Sequence, residues 1–284
     1  MSGCIIRMKE MLNSLSPKEM AVAQFIIDNP TQVVSMSLEE LARQSKASIS
    51  SIVRLCKTMG YSGYKQLCMM VNSDNTLDAQ SQIVYTDLRI GDSISSVIGS
   101  VGMTDIRSIE NTMKLLDVKE MESAVNAMID SQRVDFYGFG SSGIVALDAQ
   151  NKFLRINKTS MASTDAHLQM LQATTLSKGD CAVLISYSGE TSDILQTAQV
   201  AKASGATCIS ITGFGKNSLS SMCSIRLCCA SSETFIRSGA MGSRISQLAI
   251  IDMLYCAVTS SQYDKVKDSL NRTRVLLNAK HNKA

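Results

Sequence analysis

Residues 181–203 read CAVLISYSGETSDILQTAQVAKA. Five apolar residues, Cys181 to Ile185, stop at a turn of Ser186, Tyr187, Ser188, Gly189, Glu190 and Thr191, and a helical pattern runs on from Ser192 to Ala203. A short unbroken apolar run followed by a helical period predicts a buried strand feeding a helix. The same succession recurs to either side. Val134–Tyr137 predicts a strand, and Gly138-Phe139-Gly140-Ser141-Ser142-Gly143 opens a helix that reaches Asn157. Thr159–Ser163 predicts a short strand, with a helix near His167–Thr174. Thr207–Ile211 and Ile225–Cys229 predict two more strands, and a long helix from about Ser238 to Val258 closes the unit. Strands alternating with helices build a parallel sheet covered on both faces, an α/β fold in three αβα layers.

Upstream of Arg133 the strand pattern is absent. The first 73 residues are helical in pattern. Ser16-Pro17-Lys18-Glu19 and Ser37-Leu38-Glu39-Glu40 both have the form of a capping box, the first with proline at the first helical position. Ser48 caps a further helix in which Ile49, Ile52, Val53 and Cys56 form one apolar face, and Gly60 ends it as a left-handed C-cap. The pair Ser37–Lys46 and Ser48–Met59, joined by a very short turn at Ala47, predicts a helix-turn-helix. Residues 74–92 are polar and mixed and predict a linker, with helical stretches around 93–115 and 118–130. The division expected is a DNA-binding domain over 1–77, a linker and connecting helix over 78–117, and a ligand-binding α/β domain with its C-terminal helix over 118–284.

Composition narrows the function classes. The chain has 284 residues, 45% hydrophobic and 19% charged, which suits a folded protein with a sizeable core. No apolar stretch is long enough to span a bilayer, and the start MSGCIIRMKEML has no secretory signal pattern, so a cytoplasmic protein is expected. The 9 cysteines are odd in number and scattered without a C-x-x-C pair, which predicts reduced core thiols. With 2 histidines, His167 and His281, no metal site is expected. The net charge of +3 says little by itself, but between Leu41 and Ser73 lie Arg43, Lys46, Arg54, Lys57 and Lys65 with no acid among them. A basic surface on a capped helix pair predicts DNA binding. Short Ser50 and Ser51 would meet base edges, Arg54 a guanine edge or phosphate, and Lys57 and Lys65 phosphates. Arg43 and the capping Ser48 belong to the same expected face.

The two turns G-F-G-S-S-G (138–143) and S-Y-S-G-E-T (186–191) share a chemistry. In a parallel sheet both lie at the carboxyl ends of strands, where helix N-termini present unpaired amides. Hydroxyls of Ser141, Ser142, Ser186, Ser188 and Thr191 would complete a nest for a phosphate. A dinucleotide site with Asp165 as its acidic residue is the competing reading, since 138–143 also fits G-x-G-x-x-G. That scheme leaves the second hydroxyl-rich turn without a role.

These motifs resemble the SIS (sugar isomerase) domain, with G-x-G-S-S before a helix and S-x-S-G-x-T after a strand. A helix-turn-helix, a linker and a SIS domain together resemble the RpiR family of bacterial transcription regulators. ELARQSKASISSIVRLCKTMGYSGYKQL (40–67) is similar to that family's DNA-binding region, and NKFLRIN, DAHLQ and RSGAMGSRISQLAIIDML (237–254) to its SIS region. Asn157 stands where family members usually carry glycine after the first SIS helix; asparagine tolerates the left-handed conformation. The resemblance implies a regulator, a repressor on family grounds, of sugar or amino-sugar catabolism that senses a phosphorylated sugar. Ser141, Ser142, Ser186, Ser188 and Thr191 would hold the phosphate, and Glu233, in a region where related isomerase domains carry an acidic residue, would bond sugar hydroxyls. By their own positions His167 is expected at a sugar hydroxyl or an interface, and Arg237 and Arg244 at the ligand, at a neighbouring subunit or in surface pairs. No cofactor and no catalytic residue is expected. The partners expected are palindromic operator DNA, the phosphosugar, and further copies of the chain as a dimer or dimer of dimers. The rival is a sugar-phosphate isomerase or lyase, with Glu233 and His167 as conceivable acid and base, although such an enzyme has no need of a basic helix pair.

Overall fold

In the computed structural model, which describes residues 3–78, 91–231 and 240–281, capping serines set where the N-terminal helices begin. The helices are α1 (Cys4–Met11), α2 (Pro17–Asp28), α3 (Pro30–Val33), α4 (Leu38–Gln44), α5 (Ile49–Thr58), α6 (Tyr64–Asp78) and α7 (Ile94–Leu115). At α2 the capping box closes in both directions, between the Ser16 side chain and the N3 backbone and between the Glu19 carboxylate and the Ser16 N–H. Ser37 Oγ accepts from Glu40 N (3.1 Å) and Ser48 Oγ from Ser51 N (3.2 Å), so α4 and α5 start where the sequence places them. At the end of α5, Tyr61 N donates to Cys56 O (2.8 Å) and Gly60 N to Lys57 O (3.0 Å), with Gly60 at φ +78°. That is the Schellman closure expected of a glycine there. The turn between α4 and α5 closes the same way, with Lys46 at φ +51° and Ala47 N donating to Ala42 O. α6 runs five residues into the segment read as linker; residues 79–90 of that linker lie outside the described residues.

α2 and α4 pack against α5. The core here joins Val22, Ala23, Ile26, Leu41, Ile52, Leu55, Cys56, Leu67 and Val71. Complete burial of side chains such as Ile52 or Leu55 contributes about 1.5–3 kcal/mol each. The buried face of α5 differs from the expected one. Ser51, Ile52, Leu55 and Cys56 are buried, Val53 is half-buried, and Ile49 is 43% exposed. Ser51, expected on the outer polar face, is therefore inside. Its small side chain fits the close helix packing, and its hydroxyl is bonded to Ser48 Oγ (2.9 Å) and accepts from Arg54 (3.2 Å).

The second compact unit begins at Leu116. It contains α8 (Val118–Asp130), β1 (Val134–Gly138), α9 (Ser141–Arg155), α10 (Ala166–Thr174), β2 (Cys181–Ile185), α11 (Ser192–Ala203), β3 (Thr207–Gly213), α12 (Ser218–Met222), β4 (Ile225–Cys229), α13 (Met241–Ser261) and α14 (Tyr263–His281). The strands form one parallel sheet in the order β1-β2-β3-β4. Side chains alternate between two cores. Val134, Phe136, Val183, Ile185, Ile209, Ile211 and Leu227 face α8, α9 and α13, whereas Tyr137, Ala182, Leu184 and Cys208 face α10, α11 and α12. Burial on both sides is why β1 and β2 contain no exposed position.

Thr159–Ser163 is not a strand of this sheet. Its backbone lies along β1, with Val134 N donating to Thr159 O and Phe136 N to Met161 O (both 2.9 Å), but only the isolated bridge Arg133–Thr159 forms. The reason is Asp135, whose buried carboxylate accepts Met161 N (3.0 Å) and pairs with Arg133, so a ladder bond is diverted into a side chain. After α9, Asn157 sits at φ +60°, with Asn157 N donating to Leu154 O and Lys158 N to Phe153 O (both 3.1 Å); asparagine fills the glycine position as expected. All nine cysteines are free, six of them buried. No described helix is long and apolar enough to cross a membrane. Among the described residues no group of three or more His, Cys, Asp or Glu is placed to hold a metal ion.

Candidate functional site

β1 and β2 are neighbours, and their register pairs Gly138 with Ile185. The turns that follow them therefore leave the sheet side by side at its carboxyl edge. After β1 the chain enters α9 within two residues, Phe139 and Gly140, and Ser141 and Ser142 lie in the first turn of the helix. This turn is tight. A Cβ on Gly138 would stand 2.6 Å from Ser142 O, and one on Gly143 would stand 3.0 Å from Gly138 O. Ser142 Oγ is 3.1 Å from Gln247 Oε1 on α13 and donates to it.

After β2, Ser186 is buried, while Ser188 and Thr191 are exposed. Ser186 N donates to Ile211 O of β3 (3.1 Å), and Ser186 Oγ accepts Gly189 N (3.2 Å) and lies 3.4 Å from Thr191 Oγ1. Ser188 Oγ accepts Glu190 N (3.2 Å). Thr191 is the N-cap residue of α11. Gly189 has φ +65°, and a Cβ there would fall 2.1 Å from Asn217 Oδ1, so both backbone angle and space demand glycine. Asn217 is in turn the cap of α12, accepting Ser220 N (2.8 Å) and donating to Thr212 Oγ1 (3.1 Å). The only charged side chain in the two turns is Glu190. Its carboxylate accepts Ser218 N (2.8 Å), and hydrogen bonds from Ser218, first of the side chain and then of the backbone, hold it below the usual carboxylate range.

The arrangement sets hydroxyls and helix N-termini side by side with no cation in either turn. Two helix starts, α9 and α11, each bring the partial positive charge of a helix N-terminus, which favours an anion, although Ser142 N and Gly143 N at the start of α9 already donate to Phe139 O (3.1 Å) and Gly140 O (3.0 Å). Sequence reading brings Ser141, Ser142, Ser186, Ser188 and Thr191 to these two turns, where the structure has them. His167 is the second residue of α10 and is exposed. Glu233 and Arg237 lie outside the described residues, and Arg244 is half-buried in α13.

Two functional supports were not read from the sequence. Gln169 is fully buried; its Nε2 donates to Gly138 O and Ser163 O (both 2.8 Å), and its Oε1 accepts Gly138 N (3.2 Å). It fastens α10 to the last residue of β1. Gln247, 1% exposed, holds Ser142 from α13. Neither buried face is otherwise apolar, since Gln172 is buried beside Gln169 and Ser243 and Ser246 beside Gln247, so no local pattern singles out either glutamine.

The other candidate face is on α5. Ser48, Ser50, Arg54 and Lys57 are exposed there, as are Arg43 on α4 and Lys65 on α6. Ser48 Oγ lies 2.7 Å from Ser50 Oγ, and Arg43 is 3.9 Å from Glu40 in an exposed pair. Such a pair is weak and screened, so Arg43 is easily released to another anion.

Comparison with known proteins agrees with this division. Residues 3–76 match the model of the helix-turn-helix domain, rpiR family, and residues 127–257 match that of the SIS domain. The chain is 37% identical over 277 residues to an uncharacterized HTH-type transcriptional regulator of Caldanaerobacter subterraneus subsp. tengcongensis, covering 98% of both chains. It is 30% identical to the HTH-type transcriptional regulator HexR of Pseudomonas aeruginosa, over 96% of this chain and 98% of that one. Among solved structures it is similar to the Vibrio vulnificus NanR protein complexed with ManNAc-6P, with 26% identity, a TM-score of 0.60, and coverage of 96% and 98%.

Proposed function

The chain belongs to the rpiR family of helix-turn-helix transcriptional regulators with a SIS domain, and from that premise we propose that it represses a sugar or amino-sugar catabolic operon until a phosphosugar binds its SIS domain. Residues 1–77 bind DNA, 78–117 connect, and 118–284 sense the ligand. The observation that carries the reading is the register of β1 and β2, which sets two hydroxyl-rich helix starts side by side. Ser141, Ser142, Ser186, Ser188 and Thr191 hold the phosphate through hydroxyl and amide donors. His167 and Glu233 contact the sugar. An amino-sugar phosphate is the first candidate, because the NanR relative is complexed with ManNAc-6P. On the other unit, Arg43, Ser48, Ser50, Arg54, Lys57 and Lys65 meet the operator, and Ser51 supports that face from inside. Paired recognition helices of a dimer or dimer of dimers read a palindrome, with half-sites about one DNA turn, roughly 34 Å, or a multiple apart. The protein acts by binding and does not turn its ligand over.

Calorimetry with the phosphorylated and free forms of one amino sugar tests the sensor. Losing the charged partner from prepared donors costs about 1.5–3 kcal/mol per hydrogen bond, so two lost contacts exceed a hundredfold in affinity. Ser188→Ala should weaken the sugar phosphate and blunt the operator response, and leave ligand-free DNA binding at the parent level. Equal affinity for both forms of the sugar would mean that the serines are turn residues only.

A further inference from the structure

The first turn of α5 contains an apolar residue that the core does not use. Ser51, Ile52, Leu55 and Cys56 make the buried face, and Ile49 stands outside it at 43% exposure. Its neighbours Ser48 and Ser50 are exposed, as are Lys46, Arg54 and Lys57. A single exposed isoleucine on a protein surface needs no explanation. Its place does: the early residues of the second helix of a helix-turn-helix meet the edges of bases in the major groove. Of the exposed residues there, Ser48, Ile49 and Ser50, Ile49 has the longest side chain, and it has no polar atom. Serine hydroxyls donate and accept and so match several bases. The apolar feature of the major-groove edge is the C5-methyl group of thymine.

We propose that Ile49 is a specificity-determining residue that packs on a thymine methyl group in each operator half-site. The inference rests on the reading of this chain as a DNA-binding regulator and adds the base that its recognition helix selects. Burying one methyl group is equivalent to about a fourfold change in affinity per half-site. The contact therefore contributes discrimination beside the phosphate contacts of the cationic residues, which supply affinity without regard to sequence.

The test uses the full-length protein. A random duplex library is selected for binding, and the enriched duplex is remade with each thymine in turn replaced by deoxyuridine, which lacks the methyl group. One position per half-site should lose about fourfold in affinity with the parent protein, and the same replacement should change nothing with Ile49→Ala. If every replacement is silent with the parent, or if Ile49→Ala is as sensitive as the parent at the same position, the proposal is overturned. The parent series alone decides this even if the variant folds poorly. Failure of the parent to enrich any sequence would overturn the DNA-binding reading and this inference with it. Enrichment followed by silent replacements would overturn this inference alone.

Discussion

Gly138→Ala is a one-methyl change whose effect can be worked from the coordinates. The added Cβ would stand 2.6 Å from Ser142 O, 2.7 Å from Ser142 C and 3.1 Å from Gly143 N. Comfortable contact needs about 3.5 Å, so backbone must move by about 0.9 Å. Gly138 is not the part that can yield. It is paired with Ile185 in the sheet, and Gln169 grips both its N–H and its carbonyl. The start of α9 must retreat instead, carrying Ser141 and Ser142 away from the turn after β2. Overpacking of this size costs typically 1–3 kcal/mol. Urea unfolding followed by circular dichroism should register that loss, and calorimetry should register weakened sugar-phosphate binding because the two turns no longer converge. Gly102→Ala in α7 is the control: beyond its chain neighbours and the helix's own backbone, no atom of the described residues lies within 4 Å of the new Cβ, and a helical alanine should stabilise by about 0.8–1 kcal/mol. A Gly138→Ala protein with parental stability and parental affinity would refute the claim that this close approach positions the site.

Arg54→Ala should leave the fold intact, since the side chain is exposed, and weaken operator binding by about 1–3 kcal/mol if its guanidinium bonds a base in bidentate fashion. Operator affinity of the parent should fall steeply with salt in the same mobility-shift assay, and unchanged affinity in the variant would remove Arg54 from the interface. Burial pushes the thiols of Cys4 and Cys56 up to about 11 and that of Cys223 up to about 12, each from 9.0. A raised thiol pKa keeps the folded chain protonated while the unfolded chain ionises, so stability is full below about pH 9 and falls as pH rises toward 11; equal urea midpoints at pH 8 and 10.5 would exclude burial as the cause. Asn157→Ala should cost about 1 kcal/mol through its left-handed backbone, and Asn157→Gly should be no less stable than the parent. The reverse order in thermal melts would show that the closure after α9 does not depend on that backbone angle.

The strands were legible because both of their faces are buried, which writes them as unbroken apolar runs such as Cys181–Ile185. Helix starts were legible because a cap is a local bargain between residues three apart, as at Ser37 and Glu40. The buried face of α5 was not. Ile49, Ile52, Val53 and Cys56 make a self-consistent stripe, and so do Ile52, Leu55, Cys56 and Met59. Period alone cannot say which of two overlapping stripes meets α2. Thr159–Ser163 failed for a different reason: the group that removes its ladder bond, the Asp135 carboxylate, is 26 residues from Met161. Gln169 and Gln247 act on partners 31 and 105 residues away. A polar side chain whose purpose is that distant looks from sequence like any surface residue.

A serine hydroxyl has one proton to give. In this structure Ser142 gives it to Gln247 on α13. Any anion that takes Ser142 as a donor must therefore outbid a glutamine oxygen that is almost wholly shut away from water. A buried acceptor stripped of its donor costs about 1–3 kcal/mol. Occupancy at the edge of the sheet would then bear on α13, a helix of 21 residues. A ligand that drew this proton to itself would open the contact between the first turn of α9 and α13.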